Sequence, residues 1–437
     1  MFNKNDIINT EVTALSSDGL GIGRVNGFTF FVKNALPSEK ITAQVIKLYK
    51  SYGVAKLLSI DTKSAERVAP PCECFNLCGG CTLQHLSYAS QCTYKSKKVA
   101  DALRTIGKVP FDVTDCAGMS EPYRYRNKVQ FPFGKLPDGS PAVGYFRERT
   151  HDIAPVSDCI IARDTSGIVK AVLEYVREND ISVYDEKTHT GILRHLVIRT
   201  ATHGTMVCLV INAKTLPRSG ELLQRFKNFP EIKSVLVNIN TKRTNLITGD
   251  TTVLLQGDTY ITDVLCELSF KISLGSFYQI NPSQTEKLYN KVLEYAKGGN
   301  AALDLYCGIG TISLLLAKKF QKVQGVEIVK DAVDNAVDNA KLNKIGNVSF
   351  VCGKSEEISF SAPDVVVVDP PRKGCEPSLL SKLDEIAAPT LIYVSCNPAT
   401  LARDISLLKN YKIDDISVFD CFPQTPHVES VALLSRL

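Results

Sequence analysis

The sequence lacks any apolar run that approaches the ~20 residues needed to span a bilayer. Its opening, Met1-Phe-Asn-Lys-Asn-Asp, has no basic-plus-apolar leader pattern. No internal repeat and no low-complexity linker is present, and the net charge of +5 over 437 residues is mild. These absences argue against a helical membrane protein and a repeat array, and the charge permits a nucleic-acid partner without requiring one. The fourteen cysteines are not a secreted disulfide framework, which belongs to short chains. The expectation is a soluble, cytoplasmic, monomeric chain. At this length it holds two or three domains, and its 44% hydrophobic content is ample for a large core.

Residues 1–62 read as short strands, Ile8–Leu15, Phe28–Val32, Ile41–Leu48 and Val54–Ile60, with Gly19, Gly21, Gly23 and Gly27 punctuating the first connection. Four or five such strands suggest a small OB-like barrel. Lys33, Lys40, Lys47, Lys50 and Lys56 would decorate it, with Tyr49 and Tyr52 available to stack on bases. The alternative is a solubilising surface on a structural barrel. The stretch Ser16-Ser-Asp-Gly-Leu-Gly-Ile-Gly-Arg24 resembles the opening of a TRAM domain, which implies RNA binding.

Four cysteines crowd into Cys72-Glu-Cys74-Phe-Asn-Leu-Cys78-Gly-Gly-Cys81. At this density, in a chain of this kind, they are metal ligands more often than disulfides. Three of them with one distant cysteine would supply the four thiolates of an iron–sulfur cluster; a four-cysteine zinc site is the rival. The spacing Cys74-x3-Cys78-x2-Cys81 is similar to that of radical S-adenosylmethionine (SAM) enzymes. Cys72-x5-Cys78-x2-Cys81 is similar to that of RNA uracil-C5 methyltransferases with a structural 4Fe–4S cluster. Gly80, where the radical family usually has an aromatic residue, and the long helical stretch Gln91–Lys108 both depart from the radical pattern.

From Val113 to Phe270 the pattern is alternating strands with a few helices, such as Thr165–Glu178 and Arg218–Asn228. Two basic-aromatic clusters, Tyr123-Arg-Tyr-Arg-Asn-Lys128 and Gly144-Tyr-Phe-Arg147-Glu-Arg149, suit phosphate contacts combined with base stacking. Alternation would put Tyr123 and Tyr125 on one face and Arg124 and Arg126 on the other. Arg194, His195 and Arg199 are weaker candidates of the same kind. A solvated, charge-laced sheet face is the plainer alternative.

After about residue 274 strands and helices alternate, which argues for a mostly parallel, doubly wound sheet. Asp304-Leu-Tyr-Cys-Gly308-Ile-Gly310 joins the first strand to its helix, and Glu327 ends the second strand, placed to take ribose hydroxyls. The pair resembles the SAM signature of class I methyltransferases; dinucleotide binding is the rival, but Ser313 stands where its third glycine belongs. Asp369-Pro-Pro-Arg372-Lys-Gly374 ends another strand. The apolar run Leu391-Ile-Tyr-Val-Ser395 delivers Cys396 to its end, where Asn397-Pro398 break it. A thiol there is either a nucleophile or a small buried apolar group. Glu429, within the otherwise largely apolar run Val428–Leu434, is either a base with a raised pKa or a salt-bridged partner.

Taken with Gly275-Ser-Phe-Tyr-Gln279-Ile-Asn281 and Phe422-Pro-Gln-Thr-Pro-His427-Val-Glu429, these motifs resemble the RNA (uracil-C5) methyltransferases, in particular the 23S rRNA branch with a TRAM barrel and an iron–sulfur cluster. The resemblance covers essentially the whole chain. It implies a Rossmann-like class I methyltransferase domain at 275–437, a TRAM-like barrel at 1–62 and a mixed, RNA-binding domain at 63–274. Cys396 would be the nucleophile, Glu429 the base, and Asp369 the group on the polar edge of uracil. Gln279, Tyr306, Gly308, Gly310, Glu327 and Asp369 would hold SAM. Cys72, Cys78, Cys81 and Cys159 would hold a 4Fe–4S cluster, with Cys74 an extra. Thr311 replaces an asparagine of some relatives and is given no role. A tRNA T-loop is the rival substrate; a radical-SAM enzyme and a non-catalytic assembly factor are more distant ones.

Overall fold

The computed structural model describes residues 2–113, 115–148, 150–357 and 362–437, to which all counts and absences below refer. Arg149, a member of the second basic-aromatic cluster, lies outside the described residues.

The N-terminal strands β1 (Ile7–Leu15), β2 (Gly21–Val25), β3 (Phe28–Val32), β4 (Lys40–Leu48) and β5 (Tyr52–Thr62) close into a barrel in the order β1-β2-β3-β5-β4. Val12, Phe30, Val32, Ile41, Ala43 and Val45 alternate inward and fill it. The glycine-rich connection contains a strand, β2, where the pattern suggested only a turn. Side chains are excluded there: a Cβ on Gly21 would come within 2.7 Å of the Ala35 carbonyl, and one on Gly23 within 2.5 Å of Thr10.

Helix α1 (Tyr88–Ala102) follows, extended by a π turn over Leu103–Gly107 that ends at the left-handed Lys108. This replaces the single helix expected to Lys108. Strand β6 (Cys116–Ala117) then leaves the middle segment to pair with the far edge of the C-terminal sheet. The middle sheet, ordered β13-β12-β11-β10-β7-β8-β9, comprises β7 (Lys128–Lys135), β8 (Pro141–Phe146), β9 (Ile153–Pro155), β10 (Leu193–Ala201), β11 (Gly204–Ile211), β12 (Ile232–Ile239) and β13 (Thr251–Gly257). Helices α2 (Ser166–Glu178) and α3 (Ser219–Phe226) cover one face. The other face, through Val197, Met206 and Leu236, shares a core with the hairpin β14 (Tyr260–Leu265) and β15 (Leu268–Ser273) and with the C-terminal half.

That half runs α4 (Pro282–Ala296), β16 (Gly299–Leu305), α5 (Thr311–Leu316), β17 (Phe320–Glu327), α6 (Lys330–Leu342), β18 (Val348–Cys352), β19 (Val365–Val368), α7 (Pro377–Ile386), β20 (Thr390–Ser395), α8 (Pro398–Leu407), β21 (Tyr411–Phe419) and β22 (Glu429–Arg436). Its sheet order, β18-β17-β16-β19-β20-β22-β21-β6, is doubly wound, with β22 inserted antiparallel beside β20. No helix is long and apolar enough to cross a membrane.

Helix α1 ties the three parts together. Lys95 and Asp420 form an ion pair with no solvent exposure on either side chain, and Lys95 also donates to the Phe422 carbonyl at 3.0 Å. Gln91 and Gln424 exchange hydrogen bonds of 3.0 Å, side chain to side chain and backbone N–H to side chain. Lys98 donates to Pro426 and to Ser17 in the barrel, both at 2.8 Å. Lys95→Met would leave Asp420 buried without its cation and should destabilise the fold by about 3–5 kcal/mol. Urea unfolding measures this, and a loss under about 1 kcal/mol, the range of exposed pairs, would contradict it.

Candidate functional site

Three neighbouring strand ends bring the sequence-predicted catalytic trio together. Strands β19 and β20 run parallel, so Asp369 and Cys396 emerge at the same edge of the sheet. Strand β22 returns antiparallel with Ser430 opposite Ser395, so the next pair sets Glu429 opposite Cys396. Asn397 caps α8 by accepting from the Ala399 N–H at 3.1 Å, while its side-chain amide donates to the Arg372 carbonyl at 3.0 Å. That bond fastens the Asp369–Gly374 loop to the turn carrying Cys396. Asp404 fixes the loop from below, accepting from the Cys375 N–H at 2.8 Å and the Tyr393 hydroxyl at 2.6 Å. Gly374 is left-handed there, and a Cβ would meet Arg403 and Asp404 at 2.5 Å.

The predicted cofactor residues line the same edge. Beyond β16, Tyr306, Gly308 and Gly310 all take positive φ, which bends the backbone around the head of α5. Glu327 accepts from the Gly308 N–H at 3.1 Å and the Val329 N–H at 2.9 Å. Gln279 reaches the buried Tyr289 hydroxyl, which lies 3.3 Å from Thr311 Oγ1. Asp304 is fully buried, and Ser313 donates to its Oδ2 at 2.5 Å; its Oδ1 has no partner.

Cys396 opens onto a cavity of about 780 Å³ walled by the barrel (Thr13–Asp18), by α1 (Lys97, Lys98) and by Arg372 and His427. A second cavity of about 410 Å³ is lined by Cys72, Cys74, Cys78, Cys81 and Cys159, and it shares Arg372 and His427 with the first. All four predicted ligand cysteines therefore converge, together with the extra Cys74. No three His, Cys, Asp or Glu side chains are arranged to hold a single metal ion.

The basic-aromatic readings fare unevenly. Tyr49 and Tyr52 stack on each other at 4.5 Å, with Lys47 over Tyr49. The strand alternation expected from Tyr123 does not form: Arg124 is left-handed and pairs with Asp158, and Tyr125 is buried with its hydroxyl on the Pro423 carbonyl. Arg194 spends its guanidinium on the Asn240 and Lys242 carbonyls, both at 2.8 Å. His195 is buried, which lowers its pKa to about 4. Sequence reasoning missed Arg372, Asp404 and His427 as parts of the site. Arg372 and His427 sit in motifs already noted, whereas Asp404 had no local signal beyond an acid on a helix.

The comparisons with known proteins agree over the whole chain. Residues 243–365 and 359–437 match the tRNA (uracil-5-)-methyltransferase family, and residues 3–58 match the TRAM domain. An uncharacterized RNA methyltransferase of Halalkalibacterium halodurans is 44% identical over 447 residues, covering 99% of this chain and 97% of that one. A second, from Clostridium tetani, is 44% identical over 446 residues with the same coverage. Among solved structures, the tRNA (uracil-54, C5)-methyltransferase of Pyrococcus abyssi, in complex with S-adenosyl-L-homocysteine, superposes with a TM-score of 0.82 at 30% identity, covering 98% of this chain and all of that one. The chain belongs to the RNA (uracil-5)-methyltransferase family. It has that family's Rossmann-like, SAM-dependent domain behind an N-terminal TRAM barrel.

The electrostatics suit a methyltransferase whose cofactor carries a sulfonium cation. Burial raises Asp304 to about 7, with Asp369 adding to the shift, and burial raises Asp369 to about 6. Glu429 is pushed well above the usual carboxylate range, by burial first and then by Asp369, with Arg372 opposing. Burial, then Glu429 and Asp369, raise the Cys396 thiol to about 11, and Arg372 again opposes. Iodoacetamide labelling of Cys396, followed peptide by peptide, should therefore rise with pH toward a midpoint of about 11. Glu429→Gln removes a repelling carboxylate and should lower the midpoint; Arg372→Gln should raise it. An unchanged midpoint in both variants would contradict this account.

Proposed function

We propose that the protein methylates C5 of a uridine in 23S rRNA from SAM, through a covalent bond between Cys396 and C6. The convergence of Cys396, Glu429 and Asp369 at adjoining strand ends, beside the Gly308–Gly310 loop, supports the methyl-transfer chemistry, and the 23S rRNA substrate rests on the resemblance of the motifs. C5 of uracil is too weak a nucleophile to take a methyl group unaided. The Cys396 thiol gives up its proton to solvent in the open cleft, the thiolate adds to C6 and makes the ring an enolate, and Asp369 bonds the polar edge of the base. Gln279, Tyr306, Gly308, Gly310, Glu327 and Asp369 would hold SAM, which would supply an electrophilic methyl to C5 and leave as S-adenosyl-L-homocysteine. Glu429 then removes the C5 proton, C5–C6 becomes a double bond again, and the thiolate leaves. A stacked base cannot reach the cleft, so the uridine enters flipped out. In this reading the barrel (1–62) and middle segment (63–274) hold the RNA around it, and residues 275–437 perform the chemistry.

A tRNA substrate is the second reading. The Pyrococcus abyssi enzyme acts on tRNA and aligns along nearly the whole chain, so a barrel alone does not separate the two. The experiment supplies labelled SAM with unmodified 23S rRNA and with unmodified tRNA, then maps the label by mass. Label at C5 of a 23S uridine is expected, and Cys396→Ala should abolish it. Glu429→Gln should slow turnover by about 10²–10⁴-fold and accumulate a protein–RNA adduct. Label confined to tRNA would overturn the rRNA assignment and keep the mechanism.

We further propose that Cys72, Cys78, Cys81 and Cys159 hold a 4Fe–4S cluster. Four thiols around one small cavity fit such a cluster, whose ligands are spread over several irons rather than one ion. Burial raises Cys78, Cys159 and Cys81, the last to about 12, so these thiols keep their protons until ligation displaces them. Anaerobically purified protein should contain iron and acid-labile sulfide in equal amounts, lost in Cys159→Ser and kept in Cys74→Ser. Zinc in their place would refute the cluster.

A further inference from the structure

The middle sheet holds a group of cations that the chemistry above does not use. Lys128 on β7 and Arg199 on β10 are direct cross-strand partners. Like charges set opposite one another destabilise a sheet. Arg126 stands two residues before Lys128, and its Nε donates to the Lys128 carbonyl at 2.7 Å. The neighbouring pair, Val197 with Gln130, lies on the face that packs toward the catalytic half, because Val197 belongs to the shared core. Lys128 and Arg199 share that face through the two-residue period of the strands.

No carboxylate offsets these charges among the described residues. Arg199, 4% exposed, has only the carbonyls of Ser273 and Ser276 as partners, at 3.2 and 3.0 Å. Burial, then Arg199 and Arg126, hold the Lys128 ammonium down to about 8. Unpaired, partly buried cations of one sign are costly in the free protein and become favourable when an anion arrives. The position narrows which anion. The Ser273–Gln279 loop is pinned against the group by Arg199 and by Asn127, whose amide donates to the Gln279 carbonyl at 3.0 Å. Arg126 lines the cysteine cavity, whose wall includes Arg372 from the catalytic cleft.

We propose that Arg126, Lys128 and Arg199 form a built site for one backbone phosphodiester of the RNA next to the flipped uridine. The site rests on the RNA-methyltransferase reading, and it assigns these residues to holding the strand rather than to the methyl transfer. Arg126 supplies the directional donors and Lys128 the point charge, while Arg199, held on the Ser273 and Ser276 carbonyls, adds positive charge from behind.

The test titrates wild type, Lys128→Met, Lys128→Gln and Lys128→Arg with transcripts of 23S rRNA and of tRNA, by filter binding between about 50 and 200 mM salt. In the two neutral variants the slope of log affinity against log salt should fall by about one, and Lys128→Arg should restore it. SAM affinity, measured by calorimetry, should stay unchanged. A full slope in both neutral variants overturns the site, as does a loss of SAM affinity with the RNA slope intact, which would give these cations to the cofactor's carboxylate. Wild type that methylates neither transcript overturns the functional reading instead, so the two failures are distinct.

Discussion

A fully buried ion pair, Lys95 with Asp420, sets the position of nearly everything near the candidate nucleophile. Charges taken out of water are tolerated only with good geometry and further hydrogen bonds. Here Lys95 adds the Phe422 carbonyl, and Gln91 and Gln424 add two more bonds one helical turn away. The turn they grip, Phe422–His427, leads directly into Glu429, whose distance from Cys396 is otherwise set only by strand pairing. The same helix reaches the barrel through Tyr94 and Lys98, on the Ser16 and Ser17 carbonyls. One helix thus couples an RNA-binding module, the floor of the large cavity and the placement of a carboxylate.

Against that rigid frame the cleft is electrostatically unfinished. Asp304, Asp369 and Glu429 all sit where burial disfavours their charge, and among the described residues no lysine or arginine forms an ion pair with any of them. The middle sheet has the opposite problem in Arg126, Lys128 and Arg199. A cationic cofactor on one side and a polyanionic strand on the other would each satisfy the half that suits it. Mild overall charge conceals this, because separation of the charges matters more than their sum.

The catalytic half was legible because its signals are local. Asp369, Cys396 and Glu429 each adjoin an apolar strand and a proline- or asparagine-bearing turn, and parallel strands must end on a common edge. The cysteines of the second cavity were legible from spacing and resemblance together. What escaped depends on distant pairing or on single backbone angles. Strand β6 pairs with a strand about three hundred positions later, and two residues carry no period. The left-handed Arg124 breaks the alternation that would have exposed Tyr125, and close packing at Gly21 and Gly23 makes a strand from what reads as a turn. Lys128 and Arg199 look unrelated until the β7–β10 register is known.

The raised thiol of Cys396 has a consequence for the lifetime of the enzyme. Oxidants and stray electrophiles attack thiolates far faster than thiols, and sulfinic or sulfonic products are not recovered by ordinary reductants. Although the wide cavity leaves Cys396 open to small molecules, its proton shields it between turnovers. The carboxylates that repel the thiolate therefore act as a preservative, keeping the proposed nucleophile in its unreactive, protonated form while no base covers it.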